Sequence, residues 1–128
     1  MRLAAVAPSC DPAGMCFDTD ARPPLPPIRG GAIDARDLVL PADDGTRVAA
    51  HAARAETPSG AGIVIIPDVR GLHPYYEDLA RRFAEAGVHA IAIDLYSRTA
   101  GTGKRDADFV YEPHVAQLDG GSLGQDVA

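Results

Sequence analysis

One glycine-flanked serine, two cysteines, four histidines and a short run of carboxylates and arginines carry whatever chemistry this 128-residue chain can do. Gly120-Gly121-Ser122-Leu123-Gly124 satisfies Gly-x-Ser-x-Gly, a pattern that presents a nucleophilic hydroxyl only on a turn from a buried strand into a helix. Ala116-Gln117-Leu118-Asp119 is not patterned as such a strand. Only four residues follow Gly124, too few for a later acid and His, and Ser122 with Gln125 has the spacing of a capping box. Ser122 is therefore read as the start of a helix. Cys10 and Cys16, with five residues between them, fit neither a zinc knuckle nor a redox pair and are read as reduced thiols. His51, His89 and His114 show no partner arrangement, and His114 precedes any elbow that could follow. His73 is the histidine expected to face a pocket. Asp68 can cap the turn that follows it or pair with Arg70. Arg98 and Arg105 read as solvated charges, and Tyr96 as a residue packed at a strand end.

The elements around these residues follow from periodicity. Asp37–Pro41 and Thr46–Arg54 read as strands joined through Asp44-Gly45, a pair that favours a tight hairpin turn. Gly62-Ile63-Val64-Ile65-Ile66 is β-branched and continuous, which predicts a strand buried on both faces. Pro74 suits a helix first turn. Tyr76, Leu79, Ala80, Phe83 and Ala86 recur on one helical face, with Glu77, Asp78, Arg81, Arg82 and Glu85 opposite. Gly87 stands as the C-terminal stop. Val88–Asp94 is the next strand, which completes a βαβ unit with parallel strands. Residues 95–121 carry little periodicity and read as a long loop.

Residues 1–34 read as an irregular arm, and 35–128 as the folded part. Arg22-Pro23-Pro24-Leu25-Pro26-Pro27 cannot be helix or central strand and should run extended. Between an SH3-type ligand and an arm lying on the domain surface, the second reading is preferred. Met15 is a candidate alternative start to Met1.

Pro67-Asp68-Val69-Arg70-Gly71-Leu72-His73 between strand and helix, followed by Asp94-Leu95-Tyr96-Ser97-Arg98, Gly101–Asp106 and Glu112-Pro113-His114-Val115, resembles the dienelactone hydrolase family of α/β-hydrolases. The resemblance covers about residues 35–128, and the arm is similar to the leader of some bacterial members. It implies an α/β fold: an N-terminal β-hairpin, then a βαβ unit of a mostly parallel sheet. It also implies hydrolysis of small carboxylic esters or lactones with no metal or organic cofactor. By this resemblance Asp68 is the carboxylate that supports the nucleophile, where many relatives carry Glu. Val69 would supply a backbone N–H to the oxyanion hole. A preorganised donor aimed at the developing charge lowers the barrier, and losing one costs about 3 kcal/mol. Loop arginines would hold a substrate carboxylate, which makes Arg98 and Arg105 candidates for substrate binding, with Tyr96 and His73 at the pocket wall. The expectation is an N-terminal half that ends before the Cys- or Ser-bearing elbow and is inactive alone. The strand 63–66 would then have an open edge, and one sheet face would lack most of its helices.

The formal charge of −6 argues against a nucleic-acid binder. No stretch approaches the roughly 18–20 apolar residues of a membrane span, and the apolar start is too short for a signal peptide; the expected location is cytoplasmic. A competing reading is a non-catalytic α/β binding module that pairs with another chain through its open edge. Nucleotide binding is disfavoured, because Pro67–Gly71 holds a single glycine where a dinucleotide fingerprint needs three.

Overall fold

A computed structural model describes residues 20–28 and 33–128. Cys10, Cys16, Met1 and Met15 lie outside the described residues. Strand β1 runs Ile33–Pro41 and β2 Arg47–Ala55, then β3 Gly62–Ile65, helix α1 Pro74–Glu85 and β4 His89–Ile93. Three helices follow: α2 Ser97–Ala100, α3 Glu112–Val115 and α4 Gly120–Val127. The strands form one sheet in the order β1-β2-β4-β3. β1 pairs antiparallel with β2, and β2 antiparallel with β4. β4 and β3, the two strands that flank α1, are parallel.

The hairpin turn forms where Asp44-Gly45 places it. Gly45 takes φ 83°, its amide bonds Ala42 O at 2.8 Å, and Asp44 Oδ1 accepts the Thr46 amide at 3.0 Å. β1 starts at Ile33, four residues before the expected strand and inside the stretch read as arm. Its register with β2 runs from Ile33↔Ala55 to Pro41↔Arg47, and Ile33 and Ala35 pack against the core. Cross-strand pairing, which its own weak pattern did not announce, extends the strand.

The core is built of alanines and tyrosines. Ala53, Ala90 and Ala92 of the sheet meet Ala80, Ala84, Tyr75 and Tyr76 of α1, with Ile65 and Leu72 beside them. Small side chains let the helix lie close to the sheet, where packing has no room for added methylenes. α1 begins with Pro74 at its first turn, and Gly87 follows its end at φ 89°. The described part of the Pro-rich arm lies along this helix. Arg22 reaches Asp78 at 3.7 Å, and the Ile28 amide donates to Glu85 at 2.9 Å.

Two expectations are corrected. The strand through 63–66 is not buried on both faces: Ile63, Val64 and Ile66 are 37%, 44% and 51% exposed, and Ile65 alone of the run is buried. It is an edge strand, with β4 on one side and no described strand on the other. Residues 95–121 are not one long loop but hold α2, α3 and the start of α4. Helices of four residues are too short to leave a hydrophobic period.

Candidate active site

The segment after β3 sits at the C-terminal rim of the parallel pair, the end at which open α/β sheets carry their ligands. Residues 68–71 form a turn closed by the Gly71 amide on Asp68 O at 2.9 Å. Gly71 has φ 76°, and a Cβ there would meet Asp94 Oδ1 at 2.8 Å and the Tyr96 ring at 3.1 Å. Only glycine fits, because both the backbone conformation and the space exclude a side chain.

Asp68 bonds back over this turn. Its Oδ1 accepts the Arg70 amide at 2.9 Å, and Arg70 Nη2 reaches Oδ2 at 2.8 Å. His73 Nε2 stands 3.7 Å from Oδ1, too far for a hydrogen bond, and has no bonding partner among the described residues. Burial pushes the Asp68 carboxyl up, but the neighbouring His73 and the Arg70 bonds outweigh it and hold the group well below the usual carboxylate range. The Asp68 amide donates to the Tyr76 hydroxyl at 3.0 Å. Val69 is 39% exposed, its carbonyl accepts the Tyr96 hydroxyl at 2.6 Å, and its amide donates to no acceptor among the described residues.

Beneath this turn lies Asp94, 1% exposed at the end of β4. Oδ1 accepts the Leu72 amide at 3.0 Å and Arg105 Nε at 3.2 Å. Oδ2 accepts the Tyr96 amide at 3.1 Å, Ser97 Oγ at 2.9 Å and Arg105 Nη2 at 2.7 Å. A buried carboxylate is tolerated because five donor atoms converge on it, two of them from one guanidinium.

The structure redistributes the residues singled out in the sequence. Arg105, expected in solvent or on a substrate, is 4% exposed and committed to Asp94 and to Gly101 O at 2.6 Å, with Phe109 stacked on it at 4.6 Å. Arg98 is spent as well: its three nitrogens bond Asp44, Thr46 and Asp126, which ties the hairpin turn to α4. Tyr96 is 0% exposed and packs at the strand end, against the stacked pair of Phe109 and His114. His73 is buried against Tyr76, its ring edge-on at 5.0 Å. Ser122 is not a helix cap. Asp119 caps α4, accepting the Ser122 amide at 2.9 Å and the Ser122 hydroxyl at 2.5 Å. The Gly-x-Ser-x-Gly stretch thus lies within a helix.

The histidines do have partners. His51 Nδ1 lies 2.8 Å from Asp37, His89 Nδ1 accepts the Ala55 amide at 3.1 Å, and His114 Nδ1 is 2.8 Å from Thr99. Asp37, His51 and Glu77 each offer one ligand atom, all within 4.8 Å of one another. Lys104 already bridges the two carboxylates, 2.9 Å from Asp37 and also bonded to Glu77, so a metal ion would have to displace it. Sequence reasoning missed this group, although the hairpin register pairs Asp37 directly with His51. It borders a cleft of about 260 Å³ lined by Leu38, Ala50, Leu72, Asp94 and Lys104, which Asp68 and Val69 do not line.

Comparison with known proteins identifies the family. Residues 48–121, more than half of the chain, match the model of the dienelactone hydrolase family. A hydrolase fragment of Escherichia coli (strain K12), YghX, is 49% identical over 39 residues, 30% of this chain and 33% of that protein. A protein of Methylorubrum extorquens named as a carboxymethylenebutenolidase is 33% identical over 72 residues, 52% of this chain and 25% of its own length. A dienelactone hydrolase-type structure from Klebsiella pneumoniae superposes with TM-score 0.61 at 26% identity, covering 75% of this chain and 41% of that one. The matched stretches thus span a quarter to a third of these curated relatives and about two fifths of the solved chain. With a hydrolase-type sheet and the turn after β3 in place, the chain belongs to the dienelactone hydrolase family.

Proposed function

We propose that these residues form the oxyanion-stabilising side of a carboxylic ester or lactone hydrolase site and are inactive alone. The observation that carries this reading is the Val69 amide: it stands at the C-terminal rim, in an exposed residue, with no acceptor among the described residues. Attack on an ester carbonyl puts negative charge on its oxygen, and a fixed N–H stabilises that charge without reorganising. Asp68, ionised beside Arg70 and His73, would support a nucleophile supplied by sequence beyond the elements described. On this reading the triad's nucleophile, acid and His lie outside the described residues, and the helical Ser122, held by Asp119, does not replace them. The substrate is a small ester or lactone, and the setting is cytoplasmic; no helix among the described residues is long and apolar enough to cross a membrane. A second reading, a non-catalytic module that pairs with another chain, is favoured by the exposed Ile63, Val64 and Ile66 at the β3 edge.

The test is p-nitrophenyl acetate hydrolysis by the purified chain. The expected result is no rate above the buffer reaction for wild type and for Ser122→Ala alike. Turnover that Ser122→Ala abolishes would overturn the assignment.

A further inference from the structure

We propose that Tyr96 and Tyr76 are positioning residues that clamp the chain on either side of the Val69 amide and aim it at the substrate oxygen. The proposal rests on the oxyanion reading of Val69. Tyr96 donates its hydroxyl to the Val69 carbonyl at 2.6 Å, and Tyr76 accepts the Asp68 amide at 3.0 Å. Each bond fixes one peptide plane. Between these two contacts lies the Val69 N–H, left without an acceptor among the described residues. A donor that is free but immobile is what electrostatic preorganisation requires.

Both phenols are themselves anchored. The Tyr96 backbone amide bonds Asp94 at 3.1 Å, and its ring lies 5.8 Å from Phe109 and 5.9 Å from His114. Tyr76 stands on α1, ring-edge to Tyr75 at 5.2 Å and to His73 at 5.0 Å. The two come from different elements, the helix after β3 and the loop after β4, so their separation is set by the sheet rather than by the turn they hold. Burial, and then neighbouring carboxylates, push both phenols up to about 12. They therefore stay protonated over the working range, and Tyr96 remains a donor.

The test uses the 128-residue chain labelled for NMR, with methylphosphonate as the oxyanion probe. In the wild type the Val69 amide resonance should move on titration with the probe. In Tyr96→Phe the ring stays packed, the sheet amides keep their protection, and exchange of the Arg70 and Gly71 amides should rise about tenfold or more. The Val69 carbonyl resonance should shift, and its amide should respond several-fold less to the probe. Tyr76→Phe should do the same to the Asp68 amide. Phe109→Leu, which loosens the packing but keeps the hydroxyl, should lower the melting temperature without changing the Val69 response. A purely structural role predicts the opposite: Tyr96→Phe lowers the melting temperature while exchange at Arg70 and Gly71 and the Val69 response stay at wild-type values, and that result overturns the clamp. If Tyr96→Phe does not fold, the wild-type hydroxyl proton decides. Slow exchange of the Tyr96 O–H, resolved at its Cζ carbon, supports the bond, and fast exchange overturns it. A wild-type Val69 amide blind to methylphosphonate overturns the oxyanion reading alone, and the Arg70 and Gly71 exchange rates still decide the clamp.

Discussion

Asp68 concentrates the competition between structure and chemistry in one side chain. Burial alone would favour its neutral form, yet the His73 ring and the Arg70 guanidinium reverse that and hold the carboxyl below its usual value. A carboxyl whose folded pKa is depressed adds stability above its unfolded pKa of about 3.9, and this is lost as pH falls through the folded value. The acid limb of the stability curve should therefore steepen below about pH 4, where the unfolded chain takes up the proton first. Asp68→Asn should flatten that limb and lower stability at pH 7, read as urea midpoints from pH 7 down to pH 2.5. Identical acid limbs in the two proteins would show that the Arg70 pair contributes nothing measurable. Asp37, whose carboxyl is also held below its usual value by His51 and Lys104, adds to the wild-type slope but not to the difference between the two proteins.

At the scale of elements, the segment from Asp94 to Arg105 joins β4, α2 and the turn after β3 through one buried charge pair. The carboxylate and guanidinium are 1% and 4% exposed. Arg105→Met keeps the apolar stem but leaves the buried Asp94 carboxyl with three neutral donors and no guanidinium. Breaking a buried pair on one side costs about 3–5 kcal/mol, a large share of the roughly 5–15 kcal/mol that holds a typical domain together. Adding Asp94→Asn should recover part of that loss, because the uncompensated charge goes with it. Urea denaturation of the two single variants and the double variant reads the coupling, and strictly additive losses would refute the pairing argument. None of this was legible in the sequence, where Arg105 read as a solvated charge or, by the family resemblance, as a holder of a substrate carboxylate. A contact eleven positions apart, across a four-residue helix and a loop, leaves no period. The βαβ unit was legible because its signals are local: a β-branched run, Pro74 at a helix start, Gly87 at its end. The Asp37–His51 pair lies between these cases. The turn at Asp44-Gly45 sets the register that puts the two opposite each other, so they could have been found by counting outward from the turn.

The whole molecule is asymmetric. α1 covers one sheet face over β2 and β4, while on the other face Val64 and Ile66 stay open beside Ile91, which is only partly covered. β3 also presents one edge with no described strand beside it. Periodicity revealed the apolar strand but not this openness, because Ile and Val carry the same signal on a covered strand as on an edge; the open edge was expected from the family resemblance alone, and the strand order bears it out. Each Ile or Val left in water forfeits about 1.5–3 kcal/mol of burial, and a flat apolar edge invites pairing with another strand. The chain on its own should therefore associate in a concentration-dependent way, visible as a rising sedimentation coefficient between about 5 and 200 µM, a range in which weak self-pairing with micromolar dissociation constants is populated. Val64→Lys and Ile66→Lys place a charge on the open face and should shift the population toward monomer without lowering the melting temperature by more than a few degrees, because neither side chain is in the core. A single sedimenting species at every concentration, with a sharp and reversible melt, would show that the exposed edge is tolerated and that nothing needs to cover it.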